Sequence, residues 1–348
     1  MAEERTLVEA ALSGDENAFG RLAAKYRPEL QLHCYRMLGS FHDSEDMVQE
    51  TLLRAWRRRD GFQGRSTFRA WLYKIATNVC LDLLSRRTRR PVTHEAPVHR
   101  PPPPVSVPWL EPYPDTLLDR ALSADAGPDE VAVQRETVSL AFLAAIQHLL
   151  PLQRAVLILR DVLGWPARDV ASALDTTVAA VNSALQRARP ALRRWLPPDR
   201  LDWRSARVPS DAENAVLERY LDALQRADDQ ALARILADEA RSGHQAGAGG
   251  HRGREPVWYE GRGTLIDAWA PVLHGQHALD FRFLRLEVNR APAFATYTRP
   301  RGGSGDFHAF VVNVLEIEAG RVVEITAFLP GLVDVYGLPR SLSAVGHP

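Results

Sequence analysis

The chain has 348 residues, of which 45% are hydrophobic, and this is enough for two or three domains with ordinary cores. Its 43 basic and 43 acidic residues cancel, so the formal net charge is zero and any strongly charged surface must be local. The first twenty residues are charged and helix-patterned without an apolar run, so we expect no secretory signal, no membrane contact and a cytoplasmic location.

Apolar side chains at helical spacing predict a first all-helical domain over residues 1–90. Residues 1–53 hold five bases against ten acids, whereas residues 54–90 hold eleven bases against two acids. In this second stretch aromatic and basic side chains interleave, which is typical of surfaces that bind unstacked bases and backbone phosphates. Cys34 and Cys80 lack further ligands at metal spacing, so we expect buried thiols, no metal and no cofactor.

A proline-rich segment follows over residues 91–129, where six acids face two arginines. Such a composition predicts a semi-extended acidic linker. Its sequence VPWLEPYPDTLLD, residues 107–119, is unusual for a linker because it carries Trp, Tyr and several Leu. We expect this part to dock on a folded surface through Trp109, Leu110, Pro112 and Tyr113.

Residues 130–197 predict a second helical domain, in which Pro151 and Pro166 each stand where a helix can begin. From residue 166 the pattern is a short helix, a turn and a longer helix, as in a helix-turn-helix. Pro190 is expected to kink or end the longer helix. The apolar residues expected to close the angle between the two helices are Val170, Ala171, Leu174, Val178, Val181 and Leu185.

A short linker, residues 198–209, precedes a region of different texture over residues 210–335. Helical patterns come first and four strand-like runs follow, which predicts an α+β domain with a curved antiparallel sheet and a tail over residues 336–348. The predicted fold is therefore multidomain, with two all-α domains and a carboxy-terminal α+β domain.

Two blocks of sequence resemble the extracytoplasmic-function group of sigma-70 factors. DSEDMVQETLLRAWRR (43–58) with GRSTFRAWLYKIATNVCLDLLSRR (64–87) is similar to region 2, and LLPLQRAVLILRDVLGWPARDVASALDTTVAAVNSALQRAR (149–189) is similar to region 4. The resemblance covers roughly the first 200 residues, in the order and separation of the family. It implies two partners, core RNA polymerase through its β′ and β subunits, and promoter DNA.

The resemblance also implies which residues make these contacts. Residues implied to contact the non-template strand of the −10 element are Arg65, Ser66, Thr67, Trp71, Tyr73, Lys74, Asn78, Asp82, Arg86 and Arg87. Residues implied to contact the −35 element are Thr176, Thr177, Ala179, Ala180, Asn182, Ser183, Gln186 and Arg187. Residues implied to grip the coiled coil of the polymerase β′ subunit are Asp46, Gln49, Glu50, Leu53, Arg54 and Trp56.

The carboxy-terminal domain resembles the SnoaL-like branch of the cone-shaped α+β fold. In the sigma factors that carry such a domain, the resemblance implies that it tunes activity and that it can bind a small ligand. Enzymes of this fold use a cavity Asp or His as general base, and the candidates here are Asp280, Asp306, His308 and Glu324. We expect no catalytic residue, because the Gly-rich stretch 237–256 replaces the family's strand and places His244 and His251 in a loop.

The leading hypothesis is a sigma factor that directs promoter recognition and transcription initiation, with its activity modulated by the fused SnoaL-like domain. One alternative is a ligand-sensing helix-turn-helix regulator that binds duplex DNA without polymerase. Another is an isomerase or cyclase carried on a DNA-binding scaffold, which the Gly-rich stretch disfavours.

Overall fold

The computed structural model describes residues 2–64, 66–87, 101–121, 137–196 and 210–344. The chain forms two compact units, which are described separately. The first comprises Met1–Pro91, Thr116–Val138 and Phe142–Ala206, and the second comprises Val92–Asp115, Ser139–Ala141 and Arg207–Pro348. The predicted domain boundaries at 90, 129, 197 and 209 lie outside the described residues.

Four helices begin the first unit: α1 (Ala2–Leu12), α2 (Glu16–Leu38), α3 (Phe41–Arg57) and α4 (Phe68–Arg86). Their ends follow from local chemistry. The Asp15 carboxylate accepts the N–H of Asn17 at the start of α2, and Gly39 ends that helix at a φ of 72°. Thr67 caps α4, because its hydroxyl accepts the N–H of Ala70 over 3.1 Å. The apolar stripes of α2, α3 and α4 meet in one core, in which both cysteines are buried and free.

Five further helices follow among the described residues of the chain. They are α5 (Asp115–Ala121), α6 (Leu140–Gln147), α7 (Pro151–Leu157), α8 (Ala167–Ala173) and α9 (Val178–Arg193). A single π-helical turn, Ile158–Val162, continues α7. Pro151 and Pro166 stand at helix starts, as predicted, because a helix's first residues need no N–H donor within it. Helices α8 and α9 form the predicted helix-turn-helix.

Two details of this motif differ from the prediction. Helix α9 continues through Pro190 to Arg193, so Pro190 does not end it. The proline leaves the carbonyl of Gln186 without its helical donor, but both residues lie on the exposed face, where water satisfies that oxygen. Val178 does not help to close the motif, because it is the first residue of α9 and is 44% exposed.

The second unit contains three helices packed on one face of a seven-stranded sheet. The helices are α10 (Asp211–Gln225), α11 (Asp229–Ile235) and α12 (Arg262–Leu273). The strands are β1 (Leu236–His244), β2 (Val257–Glu260), β3 (Leu279–Val288), β4 (Ala291–Pro300), β5 (Phe307–Glu318), β6 (Arg321–Phe328) and β7 (Ser341–Leu342). Tyr220, Leu265, Phe294 and Ile325 belong to the core between helices and sheet.

The strand order is β2-β1-β6-β5-β4-β3, with β7 paired to β5. The sheet is mixed, so the prediction of an antiparallel sheet is wrong at one point: β1 runs parallel to β6, with Ser242 opposite Ile325. Strand β1 lies between the edge strand β2 and β6, and β6 is the last strand of the antiparallel run β3 to β6, which ends in the same direction as β1.

The prediction that the Gly-rich stretch replaces a strand is also wrong. Leu236–His244 forms β1 between β2 and β6, and only the part after His244 is a loop. Most glycines of the stretch lie in that loop. The strand was missed because its residues are small or charged and do not show the apolar pattern of a strand. The domain also extends past residue 335, because β7 pairs with the start of β5.

Among the described residues, no helix combines the length and the apolar character needed to span a membrane. Within the same residues no three His, Cys, Asp or Glu side chains are grouped to hold a metal ion.

Candidate nucleic-acid interface

Helix α4 presents the residues implied to bind the −10 element. Ser66 and Thr67 are exposed before its first turn, and Asn78 is half-buried two turns beyond Trp71. The ring of Trp71 lies 5.4 Å from those of both Phe62 and Phe68, so an aromatic cluster supports it. Arg65 lies outside the described residues.

Tyr73 is buried in this structure, with 2% of its surface exposed. Its ring centroid lies 5.0 Å from that of His33 and 5.7 Å from that of Trp165, which precedes α8. Its hydroxyl donates to Glu29 over 3.2 Å, and burial raises its pKa above the ordinary tyrosine value. Tyr73 can therefore reach DNA only after Trp165 moves away.

The side chain of Lys74 is also paired with residues of the helix-turn-helix. Its Nζ lies 2.7 Å from Oδ1 of Asp175 and donates to the carbonyl of Ser172 over 2.9 Å. Asp175 adopts a φ of 48°, a left-handed conformation that Asp tolerates better than most residues. The turn of the helix-turn-helix thus covers one predicted DNA contact of α4.

A buried arginine holds the same two helical regions together. Arg154 on α7 is 3% exposed, and it donates over 2.5 Å to the carbonyl of Met37 in the last turn of α2. It also donates to the side-chain oxygen of Gln147 over 2.6 Å. The end of a helix carries free carbonyls and partial negative charge, so a buried guanidinium is well placed there.

A cavity of about 500 Å³ lies between α4 and α8. Its walls include Ser66, Thr67, Trp71 and Lys74 from one side and Trp165 and Arg168 from the other. The predicted −10 surface therefore faces the helix-turn-helix across a narrow space, an arrangement that we call the closed state. In the closed state single-stranded DNA cannot occupy both the Trp71 and the Tyr73 positions.

The carboxyl end of α4 is tied to α3. Arg54 donates to Asp82 over 2.8 Å and to Glu50 over 2.6 Å, which links a predicted polymerase contact with a predicted DNA contact. Arg87 donates to Asp43 over 2.8 Å. Arg86 is exposed. Arg54 and Asp82 thus fix the angle between the two helices, whatever else they bind.

The predicted polymerase face is a continuous stripe on α3. Asp46, Gln49 and Leu53 are exposed and recur at spacings of three and four, so they lie on one side of the helix. Leu53 is 42% exposed, and few large apolar side chains among the described residues are as exposed as that. Trp56 lies beside this stripe, and its ring packs 5.1 Å from that of Phe19. An apolar side chain within an acidic stripe suits docking on a basic protein surface.

The start of α9 is open to solvent. The residues implied to contact the −35 element are all exposed or half-buried: Thr176, Thr177, Ala179, Ala180, Asn182, Ser183, Gln186 and Arg187. The Thr177 hydroxyl accepts the N–H of Ala180 over 3.1 Å and so caps the helix. Arg187 donates to Ser183 over 2.7 Å. This small-residue face can approach base edges in a major groove.

In the second unit, residues 101–115 lie along the sheet on the face opposite its helices. Leu110, Pro112 and Tyr113 are buried, and Trp109 is half-buried. Polar side chains of the domain bind the backbone of this segment: Arg241 donates to the Pro101 carbonyl over 2.6 Å, and Gln245 to that of Leu110 over 2.6 Å.

The far end of the segment is held in the same way. Asn289 accepts the N–H of Tyr113 over 2.7 Å, and its own N–H donates to the Tyr113 carbonyl over 3.0 Å. The Tyr336 hydroxyl donates to Pro112 over 3.2 Å. Leu110, Pro112 and Tyr113 thus lie buried in the second unit, and Trp109 lies half-buried there.

The four candidate bases do not converge. Glu324 is buried in an ion pair with Arg241, and Asp280 lies 3.2 Å from Arg299. Asp306 accepts the N–H of Ala344, and His308 is exposed. In the loop after β1, His251 donates from Nε2 to the carbonyl of Glu255 over 2.7 Å.

His244 ends β1 and is not a loop residue. Its Nε2 lies 3.2 Å from the Ser242 hydroxyl, and burial lowers its pKa to about 4. Sequence reasoning missed it because the strand carries no long apolar run.

Several other residues were not predicted. Asp175 and Arg154 fasten the closed state, and Arg241, Gln245 and Asn289 hold the linker. The sequence gives no periodic signal for them, because each pairs with a residue more than 100 positions away.

Family models match three parts of the chain: Sigma-70 region 2 over residues 22–90, Sigma-70 region 4 over 139–192 and a SnoaL-like domain over 217–325. The chain is 42% identical to the ECF RNA polymerase sigma factor SigG of Mycobacterium tuberculosis, over 91% of this chain and 83% of that protein. It is 30% identical to the ECF RNA polymerase sigma factor SigW of Bacillus subtilis, over 53% of this chain and 91% of that protein.

Among solved structures, the extracytoplasmic function sigma factor SigJ of Mycobacterium tuberculosis matches with a TM-score of 0.54 and 20% identity. The match covers 92% of this chain and 99% of that one. At this identity it shows a shared fold, which extends over the helical regions and the α+β domain.

Proposed function

Because the chain belongs to the extracytoplasmic-function family of RNA polymerase sigma factors, we propose that it binds core RNA polymerase through the α3 stripe and directs it to promoters through α4 and α9. The observation that carries this proposal is that one chain presents an exposed acidic stripe around Leu53, an aromatic and basic helix α4, and an open helix-turn-helix. The cell compartment of such an activity is the cytoplasm.

The closed state is the inactive form in this proposal. Lys74 is paired with Asp175 and Tyr73 is packed on Trp165, so α4 can receive the −10 strand only after α8 and α9 leave it. Binding of polymerase to the separated regions then shifts the population toward the open form. The trapped bases supply part of the energy of strand opening, about 1–3 kcal/mol for each stacked base.

The linker and the SnoaL-like domain regulate this step. Residues 101–115 connect the helical regions and are held on the sheet by Arg241, Gln245 and Asn289. A docked linker limits how far the helical regions can separate, because fewer of its residues are free to extend than in a released linker. Release of the linker therefore increases the reach of the helix-turn-helix.

The relatives named above are sigma factors, so we propose no catalytic role for the SnoaL-like domain. In support, Glu324 and Asp280 are each held in an ion pair with an arginine. The two carboxylates therefore do not form a pair of general acid and general base in one site. A regulator that acts without polymerase would not need the α3 stripe.

Leu53→Asp tests the polymerase contact directly. We expect this variant to bind core RNA polymerase at least about tenfold more weakly, because an anchor in the centre of an interface contributes roughly 2 kcal/mol or more. The fold should survive, since Leu53 is exposed.

The matched control is Leu329→Asp, which changes a leucine of similar exposure, 45%, on the SnoaL-like domain. Co-purification with core polymerase and a titration followed by anisotropy give the two affinities. Equal affinities for the two variants would refute the assignment of the α3 stripe.

A further inference from the structure

An open cavity of about 550 Å³ lies at one end of the SnoaL-like domain. It is bounded by the end of α10, the end of α12, the start of β3, the end of β4 and the start of β5. Four arginines contribute to its walls: Arg226, Arg282, Arg299 and Arg301. The acidic residue in the same walls is Asp280.

The charges of this cavity are only partly balanced. Asp280 accepts from Arg299 over 3.2 Å and from the N–H of Gly302 over 3.3 Å, so its carboxylate is engaged. Arg226 lies 2.5 Å from Asp222 on its own helix. In the described part of the chain, Arg282 and Arg301 meet carbonyl oxygens and no carboxylate.

Two of the guanidinium groups are held in place by an aromatic ring. The Cζ atoms of Arg282 and Arg299 lie 4.5 Å and 4.3 Å from the ring centroid of Phe307, which is 4% exposed. Arg282 also donates over 2.8 Å to the carbonyl of Ser343. Cation–π contact and a carbonyl acceptor orient a guanidinium without neutralising its charge.

Bringing several cations to one cavity costs free energy unless an anion joins them. Guanidinium groups from β3, from β4, from the turn after β4 and from the residue that follows α10 would surround such an anion. A phosphate group offers acceptor oxygens in several directions, whereas a carboxylate offers two in one plane, so this arrangement suits phosphate better. The apolar side chains of Leu279 and Phe281 in the same walls can contact an organic portion.

We propose that this cavity binds a small organic phosphate, with Arg282 and Arg301 as its principal charged contacts. Its volume is that of ordinary small-molecule sites, and its concave shape is not that of a surface that follows a DNA backbone. The SnoaL-like domain would thereby give the protein an input from a phosphorylated metabolite or nucleotide. The proposal does not depend on polymerase binding or on promoter recognition.

The test is calorimetric titration of the full chain with pyrophosphate at low ionic strength. The variants are Arg301→Gln, which changes an exposed residue, and the double variant with Arg282→Gln. We expect each to weaken pyrophosphate binding, the double variant by about tenfold or more. The matched control is Arg285→Gln, which removes an exposed arginine of the same strand that pairs with Glu218 outside the cavity; its affinity should equal that of the unchanged chain.

Two results would overturn the proposal. One is failure of the unchanged chain to bind pyrophosphate, or an equal loss in Arg285→Gln. The other is binding of a DNA duplex, but not of pyrophosphate, that weakens in Arg301→Gln, because this would assign the arginines to nucleic acid. Competition of the duplex against bound pyrophosphate distinguishes these sources of phosphate.

Discussion

At the scale of single residues, the Lys74–Asp175 pair is the contact of the closed state that is easiest to remove. Its side chains are 35% and 74% exposed, so the pair contributes only about 0.2–1 kcal/mol. Asp175→Asn should therefore raise the open fraction by up to about fivefold. Asn also tolerates the left-handed conformation at this position, so the turn should keep its shape.

The measurement is the affinity of the free chain for a single-stranded −10 oligonucleotide. We expect tighter binding by Asp175→Asn, and a smaller difference at high salt because the pair is screened. Asp238→Asn, which removes a pair of similar exposure with Arg262 on the SnoaL-like domain, is the control and should have no effect. Unchanged or weaker binding by Asp175→Asn would argue against a role of this pair in closure.

Gly243 on β1 is a residue at which the linker lies close to the sheet. A Cβ atom added there would lie 2.6 Å from Cγ2 of Val105. Gly243→Ala should therefore loosen the docked linker by about 1–3 kcal/mol, as overpacking does in other cores. Limited proteolysis of residues 101–114 should become faster.

A second substitution separates this clash from a general loss of stability. Val105→Ala in the Gly243→Ala background removes the two methyl groups in question and should restore much of the protection. Gly305→Ala, where an added Cβ meets nothing within 4 Å, should leave cleavage unchanged. Failure of Val105→Ala to rescue would show that the linker does not contact the sheet at this point.

His33 gives the helical region a dependence on pH. It is buried beside Thr77, with 2.8 Å between Nε2 and the hydroxyl, and burial lowers its pKa to about 3. The folded state therefore keeps His33 neutral, while the unfolded state takes up a proton near pH 6.5. Its contribution is fully present above that pH and is lost progressively as the pH falls toward 3.

Between pH 7 and pH 5 this group should cost the helical region about 2 kcal/mol of stability. Hydrogen exchange of α2 and α4 amides at the two pH values measures the loss. The loss of stability between pH 7 and pH 5 should be smaller in His33→Gln than in the unchanged chain. It should be the same as in the unchanged chain in His277→Gln, which changes an exposed histidine. An identical pH dependence in His33→Gln would assign the acid sensitivity to other groups.

At the scale of elements, helix α9 should make two kinds of contact with DNA, one to base edges and one to phosphates. Asn182 is exposed near its start and can read a base edge, so Asn182→Ala should cost about 1–3 kcal/mol on the preferred −35 sequence and little on others. Arg187 is one turn further, and Arg187→Gln should weaken binding to all sequences and lower the salt slope by about one.

Duplex binding measured at several salt concentrations distinguishes the two effects. Arg234→Gln, on α11 of the SnoaL-like domain, is the control for a lost positive charge. Loss of sequence preference in Arg187→Gln, with none in Asn182→Ala, would reverse the assignment of the two residues.

Helices and strands were predictable where the apolar residues of a segment followed one regular spacing. Helices α2, α4 and α9 have apolar stripes that the sequence makes plain, and Thr67 and Ser210 mark helix starts because their hydroxyls accept backbone N–H groups. Strand β1 was not predictable, because its residues are small or charged and show no apolar alternation. Neighbouring strands and the linker, which lie far away in the sequence, bury them. Pro190 was misjudged because its freed carbonyl faces water.

At the scale of the whole molecule, the long-range pairs were beyond prediction from sequence. Nothing local to Lys74 indicates Asp175, and nothing local to Tyr113 indicates Asn289. The sequence therefore predicts surfaces for polymerase and DNA, but it did not predict the closed state that covers part of the predicted −10 surface. Two restraints emerge, one within the helical unit and one that fixes the linker on the SnoaL-like domain.

These restraints make the central claim testable by one measurement, run-off transcription by the full chain with core RNA polymerase on a promoter library. We predict promoter-dependent initiation, with higher output from Asp175→Asn and lower output from Leu53→Asp. Sequence-selective duplex binding without any initiation, by the unchanged chain and by Asp175→Asn alike, would contradict the account and favour a regulator that acts without polymerase.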